Sequence, residues 1–351
     1  MLGKRYENNG KATLKLNAIQ KKVKRKIDLK VRQKIYQFES VLCGICNNNE
    51  FEKLAKKDRY GLYMPVVICK RCGLIQTNPR MTQDSYNRFY NEEYRSLYVG
   101  ERTPTQEFFL YEYQKGKRIY SFLERTKILN KVSSNPFVLE VGCGAGGILH
   151  YFKKKLCRVQ GIDIGKEYIE YGKEKFGLDL VVGTLSEVVF DKSPDIVIYS
   201  DVIEHILFPK EELKRIKGIL SDRGVLYIEL PGVKNLYNSY TSYSRDFLRF
   251  LQNAHIYHFT LTTLNNLLKI GGFQLILGDE TIKSIFKKSE TKDLDLKFKN
   301  DYNAVMKFLY SLEKFRRLYK FQKFFQNLKN FLTKSKTKDL KQIVKSIRST
   351  I

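Results

Sequence analysis

Apolar positions in this chain recur at several spacings, and each spacing marks a different kind of segment. Near the amino end, Ile19, Val23, Ile27, Val31 and Ile35 return every four residues, which predicts a basic amphipathic helix within residues 1–38. Between 136 and 285, short apolar runs alternate with amphipathic stretches, the pattern of a doubly wound α/β sheet. The clearest run, Val138-Leu-Glu-Val141, carries Glu140 near its end and meets glycines at 142, 144, 146 and 147. A helix-like stretch, Ile148 to Lys155, follows, and Arg158-Val-Gln-Gly-Ile-Asp163 reads as a second strand. Leu261 to Ile270 is an amphipathic helix with Thr260 placed as its N-cap. Phe273 to Leu277 is a further strand, and Thr281 to Phe286 is the candidate for the last one. A helix is predicted from Asn303 to Leu332, with Phe308, Leu312, Phe315, Tyr319, Phe324 and Leu328 on or near one stripe.

The glycine turn carries the most chemistry. Glycine has no Cβ, so the turn can adopt positive φ and let the backbone approach a ligand, to which the next helix offers free N–H groups. Asp163 lies about 20 residues past the first glycine, where nucleotide-binding α/β folds set a carboxylate on ribose hydroxyls.

Glu140 followed by Gly142-x-Gly144-x-Gly146 resembles motif I of the class I S-adenosylmethionine-dependent methyltransferases, not the G-x-G-x-x-G dinucleotide fingerprint. Pro194-Asp-Ile-Val-Ile-Tyr-Ser-Asp201-Val-Ile-Glu204-His205 is similar to the family's strand four and the loop beside the transferable methyl. Gly224-Val-Leu-Tyr-Ile-Glu-Leu-Pro231 is similar to its strand five. The resemblance implies a Rossmann-like methyltransferase sheet that binds S-adenosylmethionine. Glu140, Gly142, Gly144, Gly146, Asp163, Ile164, Ser200 and Asp201 are the expected cofactor residues, with Glu140 near the methionine end.

Cys43-Gly-Ile-Cys46 and Cys69-Lys-Arg-Cys72 are separated by 22 residues. Two such pairs suit a tetrahedral four-thiolate zinc site, structural because no position is left for water. Cys143 and Cys157 read as small core residues. The segment Asn78-Pro79-Arg80, then Phe89-Tyr90 and Glu93-Tyr94-Arg95, resembles a linker in one bacterial methyltransferase group. That group carries an N-terminal zinc module and serves surface-polysaccharide, deoxysugar or natural-product pathways. Arg80 and Arg95 suit a substrate phosphate or carboxylate, and Tyr90 and Tyr94 suit a pocket floor; packing of the module explains the same residues. The expected organisation is a basic helix at 1–38, a zinc module at 41–80, a helical linker at 81–135, the cofactor-binding domain at 136–285 and a basic helical extension at 286–351.

Transfer to a hydroxyl needs a base, and the chain has only four histidines. His255, His258 and His205 fall in segments expected to border the methyl; His150 reads as helix surface or packing. The sugar C-methyltransferases of the resembled group use a Glu-His pair where this chain has Ala254-His255, so a hydroxyl of a sugar or glycan precursor is the expected acceptor. RNA methylation, sugar C-methylation and a non-catalytic cofactor-binding scaffold are the alternatives.

Charge is concentrated at the ends of a chain with net charge +27. Residues 1–40 hold 12 Lys/Arg against 3 acids, and 281–351 hold 19 against 6. Such arms suit an anionic membrane surface, RNA phosphates, or packing on the protein itself. The polar first ten residues, the absence of an 18-residue apolar run and the paired cysteines together give a cytoplasmic expectation.

Overall fold

A computed structural model describes residues 1–100, 103–239, 243–289, 298–316 and 318. The four-cysteine segment supplies β1 (Phe38–Glu39), β2 (Phe51–Lys57), β3 (Tyr63–Cys69), β4 (Ile75–Thr77) and β5 (Arg80–Met81). The large domain supplies β6 (Phe137–Val141), β7 (Arg158–Asp163), β8 (Leu180–Val182), β9 (Ile196–Ser200) and β10 (Val225–Glu229). It continues with β11 (Tyr257–His258), β12 (Phe273–Leu277) and β13 (Lys283–Lys288).

Seven strands form one sheet in the order β12-β13-β10-β9-β6-β7-β8. β6 to β10 run parallel, and β13 is antiparallel to both of its neighbours. This is an α/β sheet of Rossmann type, doubly wound and mixed. β6 and β9 are buried along their whole length, as expected for strands covered on both faces. Strand order reverses between β6 and β9, which opens a crevice at their carboxyl ends. The last strand lies two residues later than the expected Thr281–Phe286, because Ile282 takes a positive φ of 50° before the ladder begins.

Thr260 caps the Leu261–Ile270 helix as expected, in a reciprocal box with Thr263. The helix over Gln106–Arg125 crosses Gly147–Lys154 closely: a Cβ on Gly116 would sit 2.7 Å from the Ile148 carbonyl oxygen.

β11 leaves the large domain to become the edge of the four-cysteine sheet, β11-β4-β3-β2. One core cluster accordingly joins Cys43, Ile45 and Leu74 to Ile203, Leu207, Tyr257 and Phe259. Arg80 is 4 % exposed. Its Nη1 donates to the Leu207 carbonyl at 2.7 Å, its Nε to Glu39 at 2.9 Å, and its guanidinium lies over Phe208. It is a tether between the two parts, which assigns it to packing and not to substrate.

The amino-terminal expectation needs correction. The helix covers Ala18–Arg32, boxed by Asn17 and Gln20, not the whole of 1–38. Residues before it run along the module: Leu2 N–H donates to the Leu54 carbonyl, and Tyr6 is fully buried. The Asn8-Asn9-Gly10 turn, with Gly10 at φ +69°, breaks any longer helix. Val23, Ile27 and Val31 pack into the core, whereas Ile35 at the end of the predicted stripe is 40 % exposed. Lys30 is buried on Glu93 and Glu92 at 2.6 and 2.5 Å.

The carboxyl end is helical over 302–316, where Val305, Leu309 and Leu312 face the core and Phe315 is 37 % exposed. The remainder of the predicted stripe, Tyr319, Phe324 and Leu328, lies outside the described residues. No helix among the described residues is long and apolar enough to cross a membrane.

Replacing Arg80 by Ala removes a buried charge-assisted hydrogen bond and should lower the unfolding free energy by about 2 kcal/mol. Urea denaturation checks this; an unchanged midpoint would contradict the tether.

Candidate active site

The crevice is built from the glycine turn outward. Gly142, Gly144 and Gly146 have φ of +73°, +53° and +76°. The Gly142 and Cys143 N–H groups both donate to the Ile162 carbonyl, at 2.7 and 3.1 Å, pinning the turn to the end of β7. A Cβ on Gly142 would lie 2.4 Å from Val202 Cγ2, whereas one on Gly144 would meet nothing nearer than Tyr168 at 3.9 Å. The turn is thus closed on one side and open on the other, as a cradle for a ligand must be.

Around that opening stand acceptors with capacity to spare. Asp163 accepts from Gly144 N–H at 2.9 Å and Gly165 N–H at 2.7 Å, and Arg95 lies 3.8 Å away over the Tyr168 ring. Glu140 is 2 % exposed, and its Oε2 has no hydrogen-bond partner among the described residues. Burial, then repulsion from Glu112, pushes its carboxyl pKa well up. Ser200 Oγ is likewise buried and unpartnered among the described residues, and Ile164 offers an apolar side chain 50 % exposed. This donor-poor, acceptor-rich set fits a cationic sulfonium nucleoside: Asp163 for ribose hydroxyls, Glu140 and Ser200 toward the methionine end, Ile164 toward the base.

Asp201 follows β9 with φ 56°, a strained value for a non-glycine residue. Its Oδ2 lies 2.5 Å from Lys115 Nζ. Burial opposes the Lys115 charge, but Asp201, Glu112 and Glu229 together hold its pKa above the usual lysine range. Sequence reasoning missed Lys115: nothing local marks it, and only the helix crossing at Gly116 brings it to Asp201.

Beyond Asp201, a short 3₁₀ turn, Ile203–His205, brings Glu204 and His205 against His255. One ligand-type atom of each of the three lies within 4.8 Å of the others. Glu204 is 1 % exposed with both oxygens unpartnered among the described residues, and burial, then Asp201, pushes its pKa well up. His205 Nδ1 is 2.6 Å from Tyr90 Oη and 3.0 Å from the Ala254 carbonyl. Its ring meets His255 edge-on at 4.6 Å. Burial holds His205 down to about 4 and His255 well below the ordinary value, so both are neutral bases at physiological pH.

His258 is different. It lies in β11 against Phe250, with both nitrogens sealed from solvent and a pKa pushed down by burial to about 3. It joins the core under the site, its ring 5.7 Å from that of His255. His150 packs among Phe109, Tyr113 and Phe176, as a packing residue.

A narrow cleft of about 160 Å³ adjoins the histidines, lined by Tyr60, Phe89, Tyr94, Leu97, Tyr98 and Gln252 to Ala254. Tyr90, Tyr94 and Tyr98 stack in series at 4.4 and 5.8 Å. Tyr60 comes from the β2–β3 turn, so the four-cysteine segment contributes one wall.

In that segment the four thiols converge, with Cys43–Cys72 and Cys46–Cys69 sulfurs each 3.5 Å apart and all four within 4.8 Å. A tetrahedron of Zn–S bonds requires edges of about 3.8 Å. Two matching turns, with Asn47 at φ 55° and Gly73 at φ 81°, return N–H groups to the Cys43 and Cys69 carbonyls. Donor type and spacing both fit zinc.

Residues 112–277 match the family model described as a methyltransferase domain. That span holds the cradle and most of the sheet described above, and in it the chain is similar to S-adenosylmethionine-dependent methyltransferases. An uncharacterized methyltransferase of Staphylococcus carnosus is 27% identical over 144 residues, 40% of this chain and 67% of that protein. The (S)-tetrahydroprotoberberine N-methyltransferase of Eschscholzia californica is 25% identical over 124 residues, 33% of this chain and 35% of that one. The chain thus spans about a third of the length of the plant enzymes it matches. The solved structure of the Burkholderia thailandensis 1,6-didemethyltoxoflavin-N1-methyltransferase is 16% identical, covering 64% of this chain and 98% of that one at a TM-score of 0.44.

Gly142→Ala forces Cβ into Val202 at a positive φ, and should weaken S-adenosylhomocysteine binding by about tenfold or more. Titration calorimetry measures it; unaltered affinity would mean that the cradle is not the cofactor site.

Proposed function

We propose that the chain transfers a methyl group from S-adenosylmethionine to a hydroxyl of a sugar or glycan precursor, with His255 as base. The observation that carries this reading is the neutral His255–His205–Glu204 cluster at the crevice, beside a narrow aromatic cleft. The cofactor would supply an activated methyl on a sulfonium. In that transfer the acceptor oxygen would form the new C–O bond as the C–S bond broke and its electron pair stayed on sulfur. The hydroxyl proton would pass to the His255 ring, beside the neutral Glu204 carboxyl. Asp163, Glu140 and Ser200 hold and orient the donor, and the tyrosine stack orients the acceptor and excludes water.

A second reading has one observation in its favour. Ala254 leaves the loop without the glutamate expected of a sugar C-methyltransferase, yet Glu204 brings a carboxyl to the same histidine from a different loop. A carbon acid is therefore a chemically competent acceptor. Solvent-deuterium exchange separates the two: wash-in at carbon favours C-methylation, and its absence favours the hydroxyl.

The deciding experiment incubates the protein and labelled S-adenosylmethionine with sugar and glycan-precursor fractions and seeks products heavier by about 14 Da, the mass of one added methylene. No product from any fraction, with donor binding intact, would leave only a scaffold. His255→Ala should cost about 10²–10⁴ in kcat while leaving donor affinity unchanged. Because burial lowers the histidine pKa, the base stays neutral until pH falls well below the ordinary value of about 6.5. The acid limb of the pH–rate profile is expected below that value; a limb at or above it would argue against His255.

We also propose one zinc ion on Cys43, Cys46, Cys69 and Cys72. Four thiolates leave no open position, so its role is to hold the module. Metal analysis should find about one zinc per chain. Chelation should lower both thermal stability and kcat, since β11 joins the module to the loop that holds His255. Full activity of zinc-free protein would contradict the assignment.

A further inference from the structure

Arg59 stands at the tip of the β2–β3 hairpin and is 8 % exposed. Its Nη2 donates to Tyr60 Oη at 3.0 Å and to Gln252 Oε1, and its guanidinium lies 5.0 Å from the Tyr60 ring and 6.0 Å from the Tyr98 ring. Both rings line the acceptor cleft. Among the described residues its Nε has no hydrogen-bond partner, and no carboxylate comes within ion-pair distance of this cation. The adjacent Asp58 favours the Arg59 charge through space but forms no ion pair with it among the described residues. Both Asp58 oxygens are occupied by the N–H groups of Tyr60, Leu62 and Asn253, and burial lifts its pKa to about 7.

A buried guanidinium with no carboxylate in direct contact and a free Nε keeps donor capacity for an incoming anion. A second donor waits in the same cleft: Asn253 Nδ2 is buried and unpartnered among the described residues, on a residue 7 % exposed. The Arg59 charge also reaches His255, whose pKa it helps lower. Tyr98, at 43 % exposure, leaves an opening to solvent on this side.

We infer that the cleft takes an acceptor bearing an anionic group, phosphoryl or carboxylate, received by Arg59 and Asn253 next to the base. This inference rests on the reading of the cleft as the acceptor site. It gives the cysteine module a second role, because the hairpin that presents Arg59 belongs to that module. Arginine suits such a contact, since its planar fork pairs with two oxygens at once, which a lysine cannot do.

The test titrates inorganic phosphate and, separately, glucuronate into the full zinc-loaded chain at constant ionic strength, with and without saturating S-adenosylhomocysteine. Wild type should bind one of the two at a single site, phosphate pointing to a phosphoryl acceptor and glucuronate to a carboxylate one. Arg59→Gln should weaken that binding about thirtyfold or more while leaving S-adenosylhomocysteine affinity unchanged. Arg59→Lys, which keeps the charge and so guards against a folding defect, should restore it in part. Asn253→Ala, which leaves Arg59 in place, should weaken it to a lesser degree. Equal binding by wild type and Arg59→Gln, or no binding of either anion by wild type, overturns the inference. Absence of S-adenosylhomocysteine binding would instead remove the methyltransferase reading, with the anion titrations still deciding the role of Arg59.

Discussion

The site depends on how one loop is held. Residues 252–260 leave the large domain, join the cysteine module as β11 against β4, and return to the Leu261–Ile270 helix. Between those points the backbone is fastened to three different segments. Asn253 N–H donates to Asp58 at 3.1 Å, Ile256 N–H to the Glu204 carbonyl at 2.9 Å, and Thr77 N–H to the Ile256 carbonyl at 2.9 Å. Thr77 Oγ1 also donates to the His255 carbonyl at 3.1 Å. His255 is therefore placed by a strand pairing and not by a free loop, and the module that carries the four cysteines sets the position of the proposed base. Pre-organisation of this kind lets a catalytic group act without the entropic cost of being ordered during reaction.

The same crevice concentrates groups that a stable core would not keep. Glu140, Ser200 and Glu204 are buried with unpartnered oxygens, and Asp201 sits at a strained φ. Each unsatisfied buried polar group costs about 1–3 kcal/mol. The continuous core under the site outweighs them, and their clustering at the carboxyl ends of β6 and β9 is the mark of a functional crevice. Lys115, wedged against Asp201, is the counterweight that keeps so many acids tolerable in one place.

The amino-terminal helix illustrates how charge misleads when read along the chain. Its lysines looked like a solvated arm, yet Lys26 and Lys30 close onto Glu92 and Glu93, and Gln20 donates to the Leu97 carbonyl. The helix thereby clamps the turns that carry Tyr90, Tyr94 and Tyr98. Of the readings membrane contact, RNA contact and packing on the protein itself, the last describes one face of this segment, which helps hold the tyrosine stack beside the histidines.

Much was legible from residue order alone, because much of it is local. Glycines that need positive φ, the acid that closes a strand, an N-cap threonine and two thiol pairs all act within a few residues of themselves. Their spacing therefore determined the sheet, the cradle and the cysteine cluster. The partners were not legible. Lys115 meets Asp201 across 86 positions, and Arg59 meets Gln252 across 193. Glu204 stands beside His255 although the neighbouring position in that loop is Ala254. Such pairs arise where strand order reverses and where one strand crosses into another sheet, and no local pattern encodes the residue that will lie opposite. Only the tertiary structure could decide that His258 is core, that Arg80 is a tether, and that a carboxyl absent from one loop is supplied by another.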